Sequence, residues 1–372
     1  MSELVLYRKY RPKSFEEVVG QEHVVGAVKN AFAMGRVAHA FLFSGPRGVG
    51  KTSMARLIAK SLNCEKNGVG EVPCNGCAMC LDFTAGRALD VIEIDAASNR
   101  GIDEIRELRD GARVSPARGR YKTYIIDEAH QLSKDAFNAL LKTLEEPPAH
   151  AVFILATTEL EKVPATIVSR TQHYPFRRPT AEQIAARLSH IAEKEGVILA
   201  DDAARLIAFA AEGGLRDAEG ILGQIMAVED RKITREEVEE ILGLPKREAV
   251  KEMFSIIAKK DAAAALALIG HLAVAGHDLA FFSRLLLQYL RSAFFLKTDA
   301  ELKPLIAADL LSDEMERIEA HLTAFTPAEL SRAVTVLFDH LQDFKRTPIP
   351  QLPLELAVME LMRGGAENEQ AI

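Results

Sequence analysis

Short apolar runs alternate with longer helical patterns from residue 40 to about residue 157. The apolar runs predict strands at 40–43, 91–94, 123–126 and 152–155. Strands that alternate with helices are typical of a parallel sheet covered by crossover helices. Small or polar residues follow these runs: Ser44-Gly45, Asp95-Ala96, Asp127-Glu128 and Ala156-Thr157. Because ligands bind at the carboxyl ends of parallel strands, the pattern predicts an α/β domain with one site at that edge.

The strand patterns stop near Arg178, and helical patterns fill the rest of the 372-residue chain. Thr180 and Gln183 have the spacing of a capping box, which marks the start of an alanine-rich helix. Gly243 and Pro245 interrupt the helical pattern again. We therefore predict an α/β domain at 1–178, all-helical domains at 179–243 and 244–363, and a disordered tail at 364–372.

The most apolar helix is predicted between residues 281 and 295. Its apolar residues are Phe281, Phe282, Leu285, Leu286, Leu287, Leu290, Phe294 and Phe295. They leave too little polar surface for a helix with one face in water. This helix therefore lies in the core of its own domain or packs against another subunit.

Composition and charge narrow the class of protein. Hydrophobic residues make up 48% and charged residues 27%, which is typical of a folded globular chain. The formal net charge is -7, so any contact with nucleic acid must use local basic patches. The N-terminus lacks a signal-peptide pattern, and no apolar run reaches the ~18 residues of a membrane span. We expect a cytoplasmic protein that does not bind membranes.

A phosphate-binding loop is predicted directly after the first strand. The motif Gly-x-x-x-x-Gly-Lys-Thr gives these nucleotide-binding candidates: Gly45, Pro46, Arg47, Gly48, Val49, Gly50, Lys51, Thr52 and Ser53. Glycines allow backbone N–H groups at a helix N-terminus to face phosphate oxygens. Lys51 would reach the β and γ phosphates of ATP, and the Thr52 hydroxyl would bind Mg²⁺.

A pair of carboxylates follows the third predicted strand. Asp127 would hold the same Mg²⁺ through water, and Glu128 would orient or deprotonate the attacking water. A threonine after the fourth strand, Thr157 or Thr158, would contact the γ-phosphate, and Thr157 is the residue that we predict. Together with Lys51, these residues predict a catalytic site for ATP hydrolysis.

The four cysteines of the chain lie close together in the sequence, at Cys64, Cys74, Cys77 and Cys80. Four thiolates at the spacing C-x9-C-x2-C-x2-C suit one tetrahedral zinc ion without an open coordination position. The alternative is free or redox-active cysteines, but a redox C-x-x-C pair needs no further ligands. We predict a structural zinc module at 64–80.

Further motifs extend over the chain. They are Tyr7-Arg8-Lys9-Tyr10-Arg11-Pro12, Val19-Gly20-Gln21, Asp127-Glu128-Ala129-His130, Leu-Lys-Thr-Leu-Glu-Glu-Pro-Pro at 141–148, Ser169-Arg170 and Gly214-Leu215-Arg216-Asp217. With the cysteines, they resemble the gamma/tau family of bacterial DNA polymerase III clamp loaders, which are AAA+ ATPases. The resemblance covers nearly the whole chain, although the last domain matches by helical character rather than by motif. It implies an AAA+ domain at 1–178, a lid at 179–243 and an oligomerisation collar at 244–363.

The resemblance also implies a function in DNA replication. ATP binding and hydrolysis would open a sliding clamp and load it onto primed DNA, within a polymerase holoenzyme and without polymerase chemistry in this chain. The implied partners are delta and delta-prime subunits, further copies of this chain, the sliding clamp and the primer-template DNA backbone. If the chain has a longer form, the resemblance implies that a polymerase and a helicase are further partners of that form. The implied cofactors are ATP, Mg²⁺ and Zn²⁺.

Several site residues follow from the resemblance alone. Arg170 would act in trans as an arginine finger on the γ-phosphate of a neighbouring subunit, and Arg216 would contact nucleotide in cis. Thr171 stands where relatives often have Cys, which we expect to change only local packing. The segment that would pack against adenine includes Tyr10, Arg11 and Val19, for which a place in the core is an equally good interpretation.

Two arginines are candidates for contact with the DNA backbone. Arg100 and Arg106 follow the second predicted strand, and backbone contacts require only positive charge within reach. A further basic stretch at 113–122 is equally consistent with a solvated turn. Two other classes of protein would share parts of this sequence: a branch-migration helicase, which has no reason to carry the cysteines, and a catalytically silent scaffold subunit, which would not need Lys51 and Glu128.

Overall fold

The computed structural model describes residues 5–68, 71–99, 101–228, 231–306 and 312–362. The chain divides into two compact units, Met1–Arg235 and Glu236–Ile372. Arg100 and the predicted tail at 364–372 lie outside the described residues. The boundaries that we predict at 178 and 243 stay predictions, because the first unit contains both the sheet and the helices that follow it.

A parallel sheet forms the centre of the first unit. Its described strands are β1 (Ala40–Ser44), β2 (Val91–Asp95), β3 (Lys122–Asp127), β4 (Ala151–Thr157) and β5 (Gln172–Pro175). The strand order is β2-β3-β4-β1-β5, and all neighbours are parallel. The four predicted strands are present. We missed β5 because it is a short edge strand whose residues are mostly exposed.

Helices cover both faces of this sheet. They are α1 (Leu6–Lys9), α2 (Glu22–Ala33), α3 (Lys51–Leu62), α4 (Ala78–Thr84), α5 (Ile102–Ala112), α6 (Lys134–Glu145) and α7 (Ala165–Val168). Phe41 and Phe43 of β1 pack with Ile58 of α3 on one face. Leu42, between them in sequence, packs with Leu140 of α6 on the other. Side chains of a strand alternate between faces, so a strand buried on both faces needs the continuous apolar run found here.

Helices α8 (Ala181–Glu195), α9 (Asp201–Ala210) and α10 (Leu215–Met226) complete the first unit. The predicted capping box is confirmed, because Thr180 Oγ1 accepts from Gln183 N–H at 3.2 Å and Gln183 Oε1 accepts from Thr180 N–H at 2.9 Å. The region is not wholly helical as predicted. Strands β6 (Ile198–Leu199) and β7 (Lys232–Ile233) form a parallel pair, which is too short to produce an alternating pattern.

The second unit is helical over its described residues. Helix α11 (Arg235–Ile241) begins at the last residue of the first unit. The helices after it are α12 (Arg247–Lys259), α13 (Ala262–Val274), α14 (Leu279–Thr298), α15 (Lys303–Ile306), α16 (Ser312–His321), α17 (Pro327–His340) and α18 (Leu352–Met362). Phe282 and Leu290 of α14 are buried with Phe254 of α12 and Leu337 of α17. Of the two interpretations of the apolar helix, the structure shows the core of its own unit.

Helix α14 is the described helix that bears on a possible membrane span. Among the described helices, it alone is long and apolar enough by length and composition to cross a membrane. Arg284, Gln288 and Arg291 interrupt this helix, so it contains no unbroken apolar run of the ~18 residues that mark a membrane span. Half of the apolar window is buried within the protein, and a core helix meets the same criterion, because burial by protein and burial by lipid select the same residues.

Candidate functional site

The phosphate-binding loop connects β1 to α3. Gly50 has φ 102° and is the N-cap of α3, which begins at Lys51. Gly45 has φ 140°, and a Cβ at that position would lie 2.4 Å from the carbonyl oxygen of Phe176. A side chain at Gly45 would therefore collide with backbone, so the tight turn requires glycine.

The Lys51 ammonium closes this loop. Its Nζ donates hydrogen bonds of 2.7 Å to the carbonyl oxygens of both Gly45 and Pro46. Burial lowers the pKa of Lys51, and the carboxylates of Glu128 and Asp127 act in the opposite direction. A positive charge is thus held beside the backbone N–H groups of a helix N-terminus, which favours an anion there.

Most predicted nucleotide-site residues line one cavity of about 560 Å³. They are Arg11, Val19, Arg47, Gly48, Val49, Gly50, Lys51, Thr52, Ser53, Asp127, Glu128 and Arg216. Residues from the N-terminal segment, the loop, β3 and α10 thus meet at the carboxyl edge of the sheet. Of the predicted nucleotide-site residues, Gly45, Pro46, Tyr10, Thr157 and Arg170 are not among those that line it.

The two motifs of the predicted catalytic site are in direct contact. Thr52 Oγ1 donates a hydrogen bond of 2.8 Å to Asp127 Oδ2. Glu128 follows with φ 48° and ψ 44°, a left-handed conformation that is uncommon for a residue with a side chain. Such outliers cluster at functional sites, where packing around them compensates their cost. The conformation places Glu128 among the residues that line the cavity.

The two candidate threonines after β4 have different partners. Thr157 is fully buried, and its Oγ1 lies 3.0 Å from His130 Nδ1 and accepts from Glu159 N–H at 3.0 Å. Thr158 Oγ1 donates a hydrogen bond of 2.9 Å to Glu128 Oε2. The buried Thr157 therefore orders the loop, whereas Thr158 contacts the candidate catalytic carboxylate.

The N-terminal candidates for contact with the nucleotide lie in two different places. Arg11 and Val19 line the cavity, but the Tyr10 hydroxyl donates to Glu195 and the Tyr10 carbonyl accepts from Arg187. Tyr10 is thus attached to α8 rather than directed into the cavity. Sequence reasoning assigned no site role to several other residues that line the cavity, including Tyr7, which belongs to the N-terminal motif, and Arg187 and Glu219, which lie in no motif.

Arg187 and Glu219 form a nearly buried ion pair at the wall of this cavity. Arg187 Nε lies 3.1 Å from Glu219 Oε1, and each side chain is 9% exposed. Burial raises the pKa of Glu219, and the charge and hydrogen bond of Arg187 act against that effect. The pair joins α8 to α10, so removal of one partner would leave a buried charge.

The remaining arginine candidates lie on the surface. Arg170 donates a hydrogen bond of 2.6 Å to Glu145 Oε1 and one of 2.9 Å to the Thr166 carbonyl. Arg106 is 52% exposed and forms an ion pair of 3.1 Å with Asp103. Neither residue lines the cavity described above.

The four cysteines form a compact cluster. All four Sγ atoms lie within 4.8 Å of one another, and Cys74 Sγ is 4.0 Å from Cys80 Sγ. Tetrahedral zinc with Zn–S bonds of about 2.3 Å separates its sulfur ligands by about 3.8 Å. Burial opposes ionisation of Cys64, but backbone N–H groups, chiefly that of Cys74, lower the pKa of its thiol to about 6. The donor set and its spacing fit a zinc ion.

Three family profiles match consecutive parts of the chain. They are the DNA polymerase III delta subunit at 20–180, the ATPase lid domain of the DNA polymerase III clamp loader subunit at 183–230, and domain III of the DNA polymerase III gamma and tau subunits at 233–371. The DNA polymerase III subunit gamma of Buchnera aphidicola subsp. Acyrthosiphon pisum is 34% identical over 97% of this chain and 99% of its own length. The chain belongs to the DNA polymerase III gamma/tau family. The resemblance predicted from the motifs, and the AAA+ α/β fold class with helical domains, are confirmed.

Other gamma/tau relatives are longer than this chain. The tau subunit of Bacillus subtilis is 40% identical over 97% of this chain but 63% of its own length. The tau subunit of Escherichia coli is 46% identical over 74% of this chain and 43% of its own length. The chain thus spans less than two thirds of the first of these relatives.

Solved structures show more distant likenesses. The Thermotoga maritima RuvB Holliday junction branch migration motor has a TM-score of 0.48 at 20% identity, over 67% of this chain and 79% of that one. The Bacillus subtilis DNA clamp loader delta protein has a TM-score of 0.35 at 15% identity, over 91% and 99% of the two chains. Neither likeness bears on activity.

Proposed function

We propose that this chain binds Mg²⁺-ATP and hydrolyses it as a subunit of a clamp loader that places a sliding clamp on primed DNA. The observation that carries the proposal is the meeting of Lys51, Thr52, Asp127 and Glu128 at one cavity, with Arg216 from α10 at its wall. Membership of the gamma/tau family supports the same function. Both Lys51 and Glu128 are intact, which speaks against a catalytically silent scaffold subunit.

Each residue of the cavity has a defined chemical task in this proposal. The loop N–H groups and Lys51 bind phosphate oxygens, and Thr52 and Asp127 would hold Mg²⁺, which neutralises phosphate charge. Glu128 accepts a proton from the attacking water or orients it. The hydrogen bond from Thr158 directs the Glu128 carboxylate, so we propose Thr158 rather than Thr157 as the polar partner at the end of β4.

Hydrolysis is proposed to require a neighbouring subunit. Arg170 does not line the cavity of its own chain and lies half-exposed beside Glu145. Its guanidinium is therefore available to a γ-phosphate on an adjacent subunit, where it would stabilise transition-state charge. The proposed partners are further copies of this chain, delta and delta-prime subunits, the sliding clamp and primer-template DNA, in the cytoplasm. A polymerase and a helicase are further proposed partners if the chain has a longer form.

Contact with the DNA backbone is proposed for Arg106, and for Arg100 from its sequence alone. Arg106 is exposed on α5. Arg106→Ala should weaken binding of primed DNA by the assembled complex about equally for different sequences and flatten its salt dependence. An unchanged salt slope would remove Arg106 from the interface.

The cysteine cluster is proposed to hold a structural zinc ion. Cys64, Cys77 and Cys80 are buried, and their sulfur atoms together with that of Cys74 supply the four ligands of a tetrahedral zinc ion, which leaves no open coordination position. The ion would hold together the segment between α3 and α4. This segment is rich in polar residues, so the burial of hydrophobic side chains alone could not drive its folding.

The test is reconstitution with partner subunits, a clamp and circular primed DNA. The assembled complex should hydrolyse ATP faster when clamp and primed DNA are both present, and it should link the clamp onto the circle. Lys51→Ala should abolish both activities. Hydrolysis without any linked clamp would reject clamp loading, and full hydrolysis by the Lys51 variant would reject the assigned site.

A further inference from the structure

The short N-terminal helix α1 is attached to helices α8 and α10 of the same unit. Lys9 Nζ lies 2.6 Å from Glu195 Oε1, and the Tyr10 hydroxyl donates to the same carboxylate. Leu6 packs on α10, where a Cβ added at Gly223 would lie 3.4 Å from Leu6 Cδ1. These contacts hold α1 on both sides of Tyr7 and Arg8, which both line the cavity.

Tyr7 contacts the arginine predicted to touch nucleotide. The Arg216 guanidinium carbon lies 4.8 Å from the centre of the Tyr7 ring, within the distance of a cation–π contact. Hydrogen bonding to Arg216 is the main cause that lowers the pKa of Tyr7, against the effect of burial. The Tyr7 ring therefore contacts Arg216, and both residues line the same cavity as Lys51.

Arg216 needs such a partner for a physical reason. It lies in the first turn of α10 and is exposed, so its long side chain would otherwise occupy many rotamers. Fixing a free arginine on a ligand costs side-chain entropy, and a contact that already restricts the side chain reduces that cost. Because α1 is itself anchored at Glu195 and Gly223, the Tyr7 ring is a stable surface for this contact.

We propose that Tyr7 is a positioning residue that holds the Arg216 guanidinium beside the phosphate site, so that ATP binds without first ordering Arg216. This inference rests on the proposed function, since it requires ATP in this cavity. It assigns the segment before the first strand a part in nucleotide affinity that acts through α10.

The test is a double-mutant cycle on ATP affinity, measured with the full chain, Mg²⁺ and a non-hydrolysable ATP analogue. Arg216→Ala should weaken binding by about 10- to 100-fold, as expected for loss of a charge-assisted hydrogen bond. Tyr7→Ala should weaken it by about two- to fivefold, the range of an exposed cation–π contact. Tyr7→Phe should lose less than Tyr7→Ala. The double variant should bind no more weakly than Arg216→Ala alone.

A purely structural role would not produce that coupling. If the two losses add in the double variant, Tyr7 acts independently of Arg216 and the inference fails. Tighter binding by Tyr7→Ala would mean that Tyr7 withholds Arg216 from the ligand, which also overturns it. Should Tyr7→Ala unfold, Tyr7→Leu keeps apolar volume without the ring and enters the same cycle. Val5→Ala, at an exposed neighbour, is the matched control. Absence of binding by the folded wild-type chain would instead reject the proposed function.

Discussion

The Thr52 hydroxyl donates a hydrogen bond of 2.8 Å to Asp127 Oδ2. Thr52 lies at the start of α3 and Asp127 at the end of β3, so this contact brings two motifs that are 75 residues apart to one point. Both oxygens are hard ligands of the kind that Mg²⁺ prefers.

We predict that Thr52→Ala lowers the rate of ATP hydrolysis by the assembled complex about 100-fold, on the order of 3 kcal/mol of transition-state stabilisation. Steady-state ATPase assays over a range of Mg²⁺ concentrations measure this effect. Thr52→Ser is the matched control, because it keeps the hydroxyl and should retain most activity. An alanine variant with the wild-type rate and Mg²⁺ dependence would show that Thr52 is not a metal ligand.

Arg170 is predicted to act on a neighbouring subunit. Arg170→Ala should lower hydrolysis by the assembled complex about 10³-fold, the lower range for an arginine finger, while ATP affinity stays unchanged. Arg170→Lys should not restore the rate, because an ammonium lacks the planar fork of guanidinium. Arg205→Ala, which removes an exposed arginine paired with Asp201, is the control. Full-rate hydrolysis by the isolated monomer would contradict a role in trans.

Zinc is predicted to hold the segment from Cys64 to Cys80. Cys77→Ala should lose bound zinc and should make this segment sensitive to protease, because three thiolates no longer close the tetrahedral site. Metal analysis by mass spectrometry and limited proteolysis measure the two effects. Met79→Leu, a buried substitution in the same segment, should keep both zinc and protection. Wild-type protein purified without chelator and free of zinc would exclude the site.

Two phenylalanines of the second unit should differ in how much each contributes to its stability. Phe282 is fully buried in the core, so Phe282→Ala should destabilise the unit by about 3–5 kcal/mol. Phe338 is 60% exposed, so Phe338→Ala should change stability by less than about 0.5 kcal/mol. Urea unfolding followed by circular dichroism gives both values. Equal losses would mean that the burial assigned to Phe282 is wrong.

Glu329 should make the start of α17 sensitive to acid. The hydrogen bond from Lys260, followed by those from Thr326, lowers the pKa of Glu329 to about 2. A depressed pKa gives stability that is fully present above the unfolded value of about 4.3 and is lost as the pH falls toward 2. Since the side chain is 41% exposed, we expect only about 0.5–1 kcal/mol.

Hydrogen exchange of α17 amides measures that contribution. Glu329→Gln should increase exchange at pH 7, and the difference from wild type should shrink at pH 3.5. Glu355→Gln, in α18, is a control without the Lys260 contact. A difference that is the same at both pH values would show that Glu329 stabilises α17 without its charge.

The sequence by itself determined the parts of this protein whose chemistry is local. Three motifs specify their own geometry within a few residues. They are the glycine-rich turn before a helix, the two carboxylates after an apolar strand and the four closely spaced cysteines. The central strands were also predictable, because burial on both faces demands continuous apolar runs. Strand β5 was not, since a short edge strand needs no such run.

Only the tertiary structure decided which distant polar groups meet. Thr157 and Thr158 are equivalent in sequence, but Thr157 is the buried last residue of β4, whereas Thr158 follows the strand and donates to Glu128. Tyr7 and Arg216 lie in separate motifs, and their contact exists because α1 packs on α10. A single aromatic or charged residue has no periodicity, so its partner depends on the packing of whole elements and cannot be inferred from spacing.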